Sequence, residues 1–257
     1  MNRMCDKAML VENIAVSVII PAYNEEKTIE EIMLRTNKTM ETLGVPYELL
    51  VVDDGSTDNT RLLAERHKAT ILTSQTNRGK GYALKTGFQK AIGNVIVTID
   101  ADGSHQPEEI PKLLKPMMLS GVDIVSGSRF LGRQETSPTK RLNTLGNHFF
   151  NFLILLLTKK RITDSQTGFR AVRKRVLDEI EVVSNGYQIE TELTIKTLRN
   201  GFSVQEEAIT CVKRRAGNSQ INVLSDGIRI LMTILRTYFA SAHRDFANTR
   251  VQNREPR

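Results

Sequence analysis

Two short apolar runs that each end in carboxylates constrain the fold of this chain most. YELLVV (47–52) runs into Asp53-Asp54-Gly55-Ser56, and NVIVTI (94–99) into Asp100-Ala101-Asp102-Gly103-Ser104. Both are β-branched and too short for globular helices, so they read as strands. Apolar at nearly every position, they need cover on both faces, as a strand inside a parallel sheet does. The rest of the first half fits around them. Val16–Ile20 is a first strand, followed by a helix with Asn24 as N-cap that Gly44 ends before Pro46. Thr57 or Asp58 caps a helix through Lys68, Ala69–Thr73 is a third strand, and Gly81–Ala91 is a helix. Glu108–Leu119 is a helix with Pro107 near its first position, and Asp123–Ser126 is a further strand. This alternation predicts an α/β fold, a mostly parallel sheet with helices on both faces. Ligands bind such sheets beyond the carboxyl ends of the strands, so both acidic strings face a crevice.

Beyond Arg129 the regularity breaks. A polar loop (Gly132–Thr139) leads to a helix through Leu157 and a turn over Thr163–Gly168. Helices follow over about Lys174–Glu181 and Ile189–Asn200, then a strand near Val204–Val212 and an amphipathic segment, Val223–Phe239. No linker separates the halves, so one domain over 14–240 is expected, with flexible termini at 1–13 and 241–257. An apolar content of 40% with 25% charged residues excludes a disordered or fibrous chain. Cys5 and Cys211 are too few for a disulfide framework, so a reducing cytosol is the expected compartment. The run Ile14–Ala22 contains Pro21 and ends in Asn24-Glu25-Glu26, unlike a signal peptide. The longest apolar stretch, Phe149–Leu157, is half the roughly 18–20 residues that span a bilayer.

Asp100 and Asp102 stand at i and i+2 where a strand gives way to a loop, so both carboxylates can face one hard cation. Mg²⁺ or Mn²⁺ suits that donor set, with phosphate oxygens completing the shell; zinc would want His or Cys at ligand spacing. His105 close by reads as a structural loop histidine. Asn77-Arg78-Gly79-Lys80-Gly81 opens a helix and offers backbone N–H groups to phosphate, without being a Walker loop or a dinucleotide fingerprint.

SVIIPAYNEE (17–26), VVDDGSTDNT (51–60), NRGKGYAL (77–84), DADGSHQPEEIPKLL (100–114) and SGSR (126–129) occur in that order. With them the chain resembles the inverting glycosyltransferases of family 2, and within these the dolichyl-phosphate mannose/glucose synthase branch, from about Ser17 to Phe239. The resemblance implies a GT-A fold and a metal-dependent enzyme. It would move one hexose from GDP-mannose, UDP-glucose or a UDP-N-acetylhexosamine to dolichyl or another polyprenyl phosphate, supplying lipid-linked sugar for protein glycosylation. By the same resemblance Pro21, Tyr23, Glu25, Val52 and Asp54 line the nucleobase and ribose site. Asp100, Ala101 and Asp102 meet the donor diphosphate and the Mg²⁺ or Mn²⁺, with Asp102 the principal ligand. Arg129 and Arg214 bind phosphate, and Lys140 or Arg141 lies near the acceptor phosphate. Ser104 falls where some relatives place a glutamine ligand, and Gln220 where relatives commonly have lysine.

The formal charge of +7 is unevenly spread: residues 1–128 carry −3, residues 129–175 carry +9 and residues 176–257 carry +1. A lipid phosphate monoester, with its second pKa near 6, is largely dianionic at pH 7 and needs no general base. It needs cations to hold it, and Arg129, Lys140 and Arg141 fit that task. A sugar-hydroxyl acceptor, the alternative, would need a carboxylate base, for which Glu190 and Glu192 are available. Lys159-Lys160-Arg161 and Arg173-Lys174-Arg175 fit a solvated face as well as they fit a ligand, and Gly168-Phe169 would shape the acceptor side. Amphipathic stretches at Phe149–Leu157 and 228–239, flanked by basic residues, fit either core packing or peripheral attachment to the cytoplasmic face of a membrane. A nucleic-acid partner is not expected: aromatic residues are 5% of the chain, Trp is absent, and no stacking or helix-turn-helix signature appears.

Overall fold

The computed structural model describes residues 15–132, 141–214 and 223–252. Seven strands form one sheet: β1 (Val16–Ala22), β2 (Tyr47–Asp53), β3 (Thr70–Thr73), β4 (Val95–Thr98), β5 (Ile124–Ser128), β6 (Arg170–Arg173) and β7 (Val204–Ala208). Their order is β3-β2-β1-β4-β6-β5-β7. β1 pairs in parallel with β2 and β4, β2 with β3, and β5 with β7. β6 runs antiparallel between β4 and β5.

The expected α/β sheet is present, together with a strand, β6, that the sequence pattern did not announce. RAVR is short and has arginine at both ends, the pattern of a solvated turn. Yet Arg170 is buried, its guanidinium donating to Thr167 O, Ser165 O, Glu190 O and Thr194 Oγ1.

The helices are α1 (Ile29–Leu43), α2 (Thr60–Ala64), α3 (Lys80–Lys90), α4 (Ile110–Ser120, after a 3₁₀ turn at Pro107–Glu109), α5 (Arg141–Thr158), α6 (Lys174–Glu179), α7 (Ile189–Arg199) and α8 (Val223–Gln252). Thr28, not Asn24, stands at the N-cap of α1. Asn24 has a left-handed φ of 55°, and its Oδ1 accepts the Thr57 N–H at 2.8 Å, tying two loops together. Asn59, not Thr57 or Asp58, stands at the N-cap of α2, although Asp58 accepts the Thr60 N–H, and α2 stops at Ala64 rather than Lys68. α8 continues past Phe239 to Gln252. The loop expected over Gly132–Thr139 falls almost wholly outside the described residues.

Alternate strand residues feed two cores, as period-two side chains must. Val16, Val18, Ile20, Val95 and Val97 pack with α1 and α4, while Ile19, Leu50, Val52 and Ile96 pack with Ala83 and Leu84 of α3 and Ile189 of α7. A further cluster joins Phe150 and Ile154 of α5, Ile195 of α7, and Ile230 and Ile234 of α8.

Strand direction decides which loops meet. Antiparallel β6 between β4 and β5 leaves those two running the same way as β1 and β2. The carboxyl ends of β1, β2, β4, β5 and β7 therefore share one edge of the sheet. β6, reversed, begins at that edge and delivers residues 164–169 to it.

Candidate active site

Asp54 follows β2 and donates its N–H to Ala22 O at the end of β1. Its carboxylate accepts the backbone N–H of Arg78 at 3.0 Å and of Gly79 at 2.6 Å. Burial pushes this carboxyl above the usual range, against those two donors. Two of the N–H groups that the sequence offered to phosphate, those of Arg78 and Gly79, are thus engaged by Asp54. Gly79 has φ 101°, and a Cβ there would lie 2.5 Å from Asn185 O, so the turn tolerates only glycine at this position. Pro21 and Tyr23 are half-buried beside this corner, whereas Val52 and Ala101 are core residues that offer the crevice backbone alone.

Glu25 is buried, pairs with Arg214 Nη2 and accepts the Thr28 hydroxyl at 3.1 Å. Burial raises its pKa to about 7, opposed by Arg214 and reinforced by Asp102. Arg214 Nη1 lies 3.9 Å from Asp102 Oδ2. Asp102 is 21% exposed at the side chain, and its Oδ1 accepts the Ser104 N–H at 2.9 Å.

Asp100 has a different environment. Lys80 Nζ lies 2.6 Å from Asp100 Oδ1 and 2.7 Å from Glu190 Oε1, bridging the end of β4 to the start of α7. Burial pushes the Asp100 carboxyl up, but Lys80 and His105 outweigh it and hold it below the usual range. Gly168 closes the other side: a Cβ there would meet Lys80 Nζ at 2.6 Å and Asp100 Oδ2 at 2.7 Å. His105 is buried and stacked on Phe169 with ring centroids 5.4 Å apart, and burial lowers its pKa.

Arg129, one residue past β5, reaches the same edge and belongs to the set of charges that lower Asp100. Asp164 engages it bidentately, at 2.7 Å to Nε and 2.8 Å to Nη2. Lys140 falls outside the described residues, as does the 217–220 segment with Gln220, and Arg141 enters only as the first residue of α5.

The structure sorts the remaining candidates. The Glu192 carboxylate accepts the Val183 and Ser184 N–H groups and pairs with Lys196 at 2.6 Å, so it pins the segment before α7. Glu190, not Glu192, faces the crevice, through Lys80. Arg173 donates to Met117 O and Val122 O, Lys174 to Ala91 O, and Arg175 pairs with Asp123. Arg173 and Lys174 thus hydrogen-bond carbonyls at and just beyond the ends of α4 and α3, with Met117 O also accepting the Gly121 N–H. Lys159, Lys160 and Arg161 are exposed. Lys80 and Asp164 were not marked as site residues. For Lys80, the signal was a lone lysine at a helix start opposite two strand-end carboxylates.

These features define an α/β protein of the GT-A class, with carboxylates and arginines converging on the carboxyl edge of the sheet. Residues 17–181 match the model of glycosyl transferase family 2, and the chain belongs to that family. A dolichol-phosphate mannosyltransferase of Pyrococcus furiosus is 36% identical over 187 residues, covering 70% of this chain and 52% of the relative, so this chain spans about half of it. A polyprenol monophosphomannose synthase of Mycolicibacterium smegmatis is 34% identical over 221 residues, 80% of each chain. Among solved structures, glucosyl-3-phosphoglycerate synthase from Mycobacterium tuberculosis, crystallised with Mn²⁺, UDP and phosphoglyceric acid, has a TM-score of 0.72 at 23% identity, over 91% of this chain and 80% of that one. At that identity the likeness concerns the fold.

Proposed function

We propose that this glycosyltransferase moves one hexose from a nucleoside-diphosphate sugar to a polyprenyl phosphate of the dolichyl type, with inversion at the anomeric carbon. The observation that carries the acceptor assignment is an apolar face beside Arg129. On α5, Leu145, Phe149, Phe152 and Leu156 recur at helical spacing and are each more than half exposed. On α8, packed against α5, Leu224, Ile228, Met232 and Phe239 do the same. α5 also touches the arginine's own neighbour, His148 lying 4.9 Å from Phe130 between ring centroids. Exposed Lys159, Lys160 and Arg161 follow directly. Exposed apolar rows on two helices packed together support an interaction surface, and the basic residues that follow α5 suit an anionic lipid. Among the described residues no helix is long and apolar enough to cross a membrane; the attachment proposed is through this apolar face, peripheral and on the cytoplasmic side.

The donor would lie across the ends of β1, β2 and β4, with Pro21, Tyr23, Glu25 and Asp54 around its nucleoside and the backbone of Val52 and Ala101 beside it. Asp102, partly exposed, carries oxygen lone pairs of the kind Mg²⁺ or Mn²⁺ takes, with Asp100 held next to it by Lys80. Bound there, the ion would supply positive charge to the departing diphosphate. Arg214, which lies between Glu25 and Asp102, would receive diphosphate oxygens. Arg129, with Lys140 or Arg141, would hold the lipid phosphate, whose dianionic oxygen attacks in line without a general base. Both candidate bases being engaged, Glu192 by N–H groups and Lys196 and Glu190 by Lys80, supports this over a hydroxyl acceptor.

The test is incubation with labelled GDP-mannose, UDP-glucose and UDP-N-acetylglucosamine, dolichyl phosphate and Mn²⁺. A chloroform-soluble labelled product is expected with one of them. Transfer to a saccharide with no lipid-linked product would overturn the acceptor assignment.

A further inference from the structure

Arg129 does not stand alone at the acceptor side. Its Nε and Nη2 donate to the two oxygens of Asp164, and its backbone N–H donates to Asp164 Oδ2 at 3.1 Å. The Asp164 side chain is fully buried. The turn that carries it is held from three sides. Glu206 of β7 accepts the N–H of Thr163 at 2.8 Å and of Asp164 at 2.9 Å. Asn151 of α5 accepts the Ser165 N–H and hydroxyl and donates to Thr163 O. Ser128, the last residue of β5, shares a hydrogen bond of 2.6 Å with Thr163.

A guanidinium has five N–H donors in one plane. A bidentate carboxylate on one edge fixes that plane and the direction of the opposite edge. The carboxylate also cancels the arginine's charge, so a held Arg129 offers a phosphate fixed geometry more than net attraction. We propose that Asp164 is the positioning residue of Arg129, and that the 163–165 turn, anchored by Glu206 and Asn151, aims the guanidinium at the acceptor phosphate. This rests on the reading that Arg129 receives that phosphate. It also joins the acceptor site to α5, the helix that bears the apolar face.

Asp164→Asn separates geometry from charge, because it makes the site more positive by one unit. If the arginine acts by charge, the KM for dolichyl phosphate falls. If Asp164 positions it, that KM rises by about tenfold, the loss of about one charge-assisted hydrogen bond, while the donor KM stays within about twofold. Asp164→Asn made in an Arg129→Ala background is expected to add no further rise, since Asp164 acts through Arg129; additive losses would mark a merely structural role. Glu206→Gln, which keeps the shape and one acceptor oxygen, serves if Asp164→Asn does not fold, and is expected to raise the acceptor KM alone. An unchanged or lowered acceptor KM in Asp164→Asn, or in Glu206→Gln where only that variant folds, overturns the proposal. If Arg129→Ala itself leaves the acceptor KM unchanged, the underlying assignment of Arg129 fails instead, and the two failures are distinct.

Discussion

Replacing Lys80 by methionine tests the internal logic of the site. Lys80 bridges Asp100 and Glu190 at 2.6 and 2.7 Å, and the Glu190 side chain is only 4% exposed. Lys80 is the ion-pair partner of this carboxylate, with the charge of buried Arg170 also acting on it. Removing one partner of a buried pair typically costs about 3–5 kcal/mol, because the other charge is left uncompensated. Asp100 is partly exposed and water screens its share, which places Lys80→Met near the lower end, about 3 kcal/mol. For a chain of this size about 1 kcal/mol moves Tm by about 2–4 °C, so a fall of about 6–12 °C is expected by calorimetry. The double variant Lys80→Met/Glu190→Gln should recover more than half of that loss, since neutral groups of similar shape replace the pair nearly without penalty. Neither variant should regain full transfer, because Asp100 is no longer held beside Asp102. A Lys80→Met protein within about 1 kcal/mol of the parent in urea denaturation, or a double variant no more stable than the single one, would refute the reasoning.

Asp102→Ala is expected to abolish transfer and Mn²⁺ binding while moving Tm by no more than about 2 °C, as a partly exposed substitution should; retained turnover sinks the ligand assignment. Gly168→Ala drives a methyl group into the Lys80–Asp100 pair at 2.6–2.7 Å; overpacking of about 1–3 kcal/mol and a raised donor KM are expected, read by thermal melts and kinetics. Glu25 has a folded pKa of about 7 against 4.5 for the ordinary side chain. A raised acid pKa means the native state binds the proton more tightly, so its contribution is full below pH 4.5 and is lost as pH rises to about 7. Glu25→Gln should therefore gain up to about 3 kcal/mol on the parent at pH 8 and little at pH 4.5, measured by urea denaturation at both. Phe149→Ser/Phe152→Ser should weaken binding to anionic vesicles by at least about tenfold, given about 1.5–3 kcal/mol per buried aromatic, with the fold unchanged by circular dichroism; undiminished flotation would argue against the membrane face.

Much of the site was legible because its acids end strands. Asp54, Asp100 and Asp102 each follow an apolar run whose period and composition name it as a strand, and strand ends in a parallel sheet face the ligand edge. The basic residues were less legible, since one guanidinium looks like another in a sequence. The +9 stretch is divided among different tasks: Arg170, Arg173 and Lys174 satisfy buried or helix-end carbonyls, Arg129 faces the crevice, and Lys159–Arg161 stay exposed. Glu190 and Glu192 both stood as candidate bases in the sequence, with Glu192 the one matching a family acid, yet their packing turns Glu190 toward the crevice.

The alternation of strands and helices, the acidic strand ends and the amphipathic α5 and α8 follow from the sequence by itself, because period, turn chemistry and capping act over a few residues. Tertiary structure alone decided that β6 runs backwards between β4 and β5. That reversal brings Gly168 against Asp100 and Asp164 against Arg129, and the same packing seats Lys80 between Asp100 and Glu190 and Arg214 beside Glu25. These pairs join residues from 20 to 189 positions apart. Contacts at such separations depend on the order and direction of strands, which local periodicity does not encode.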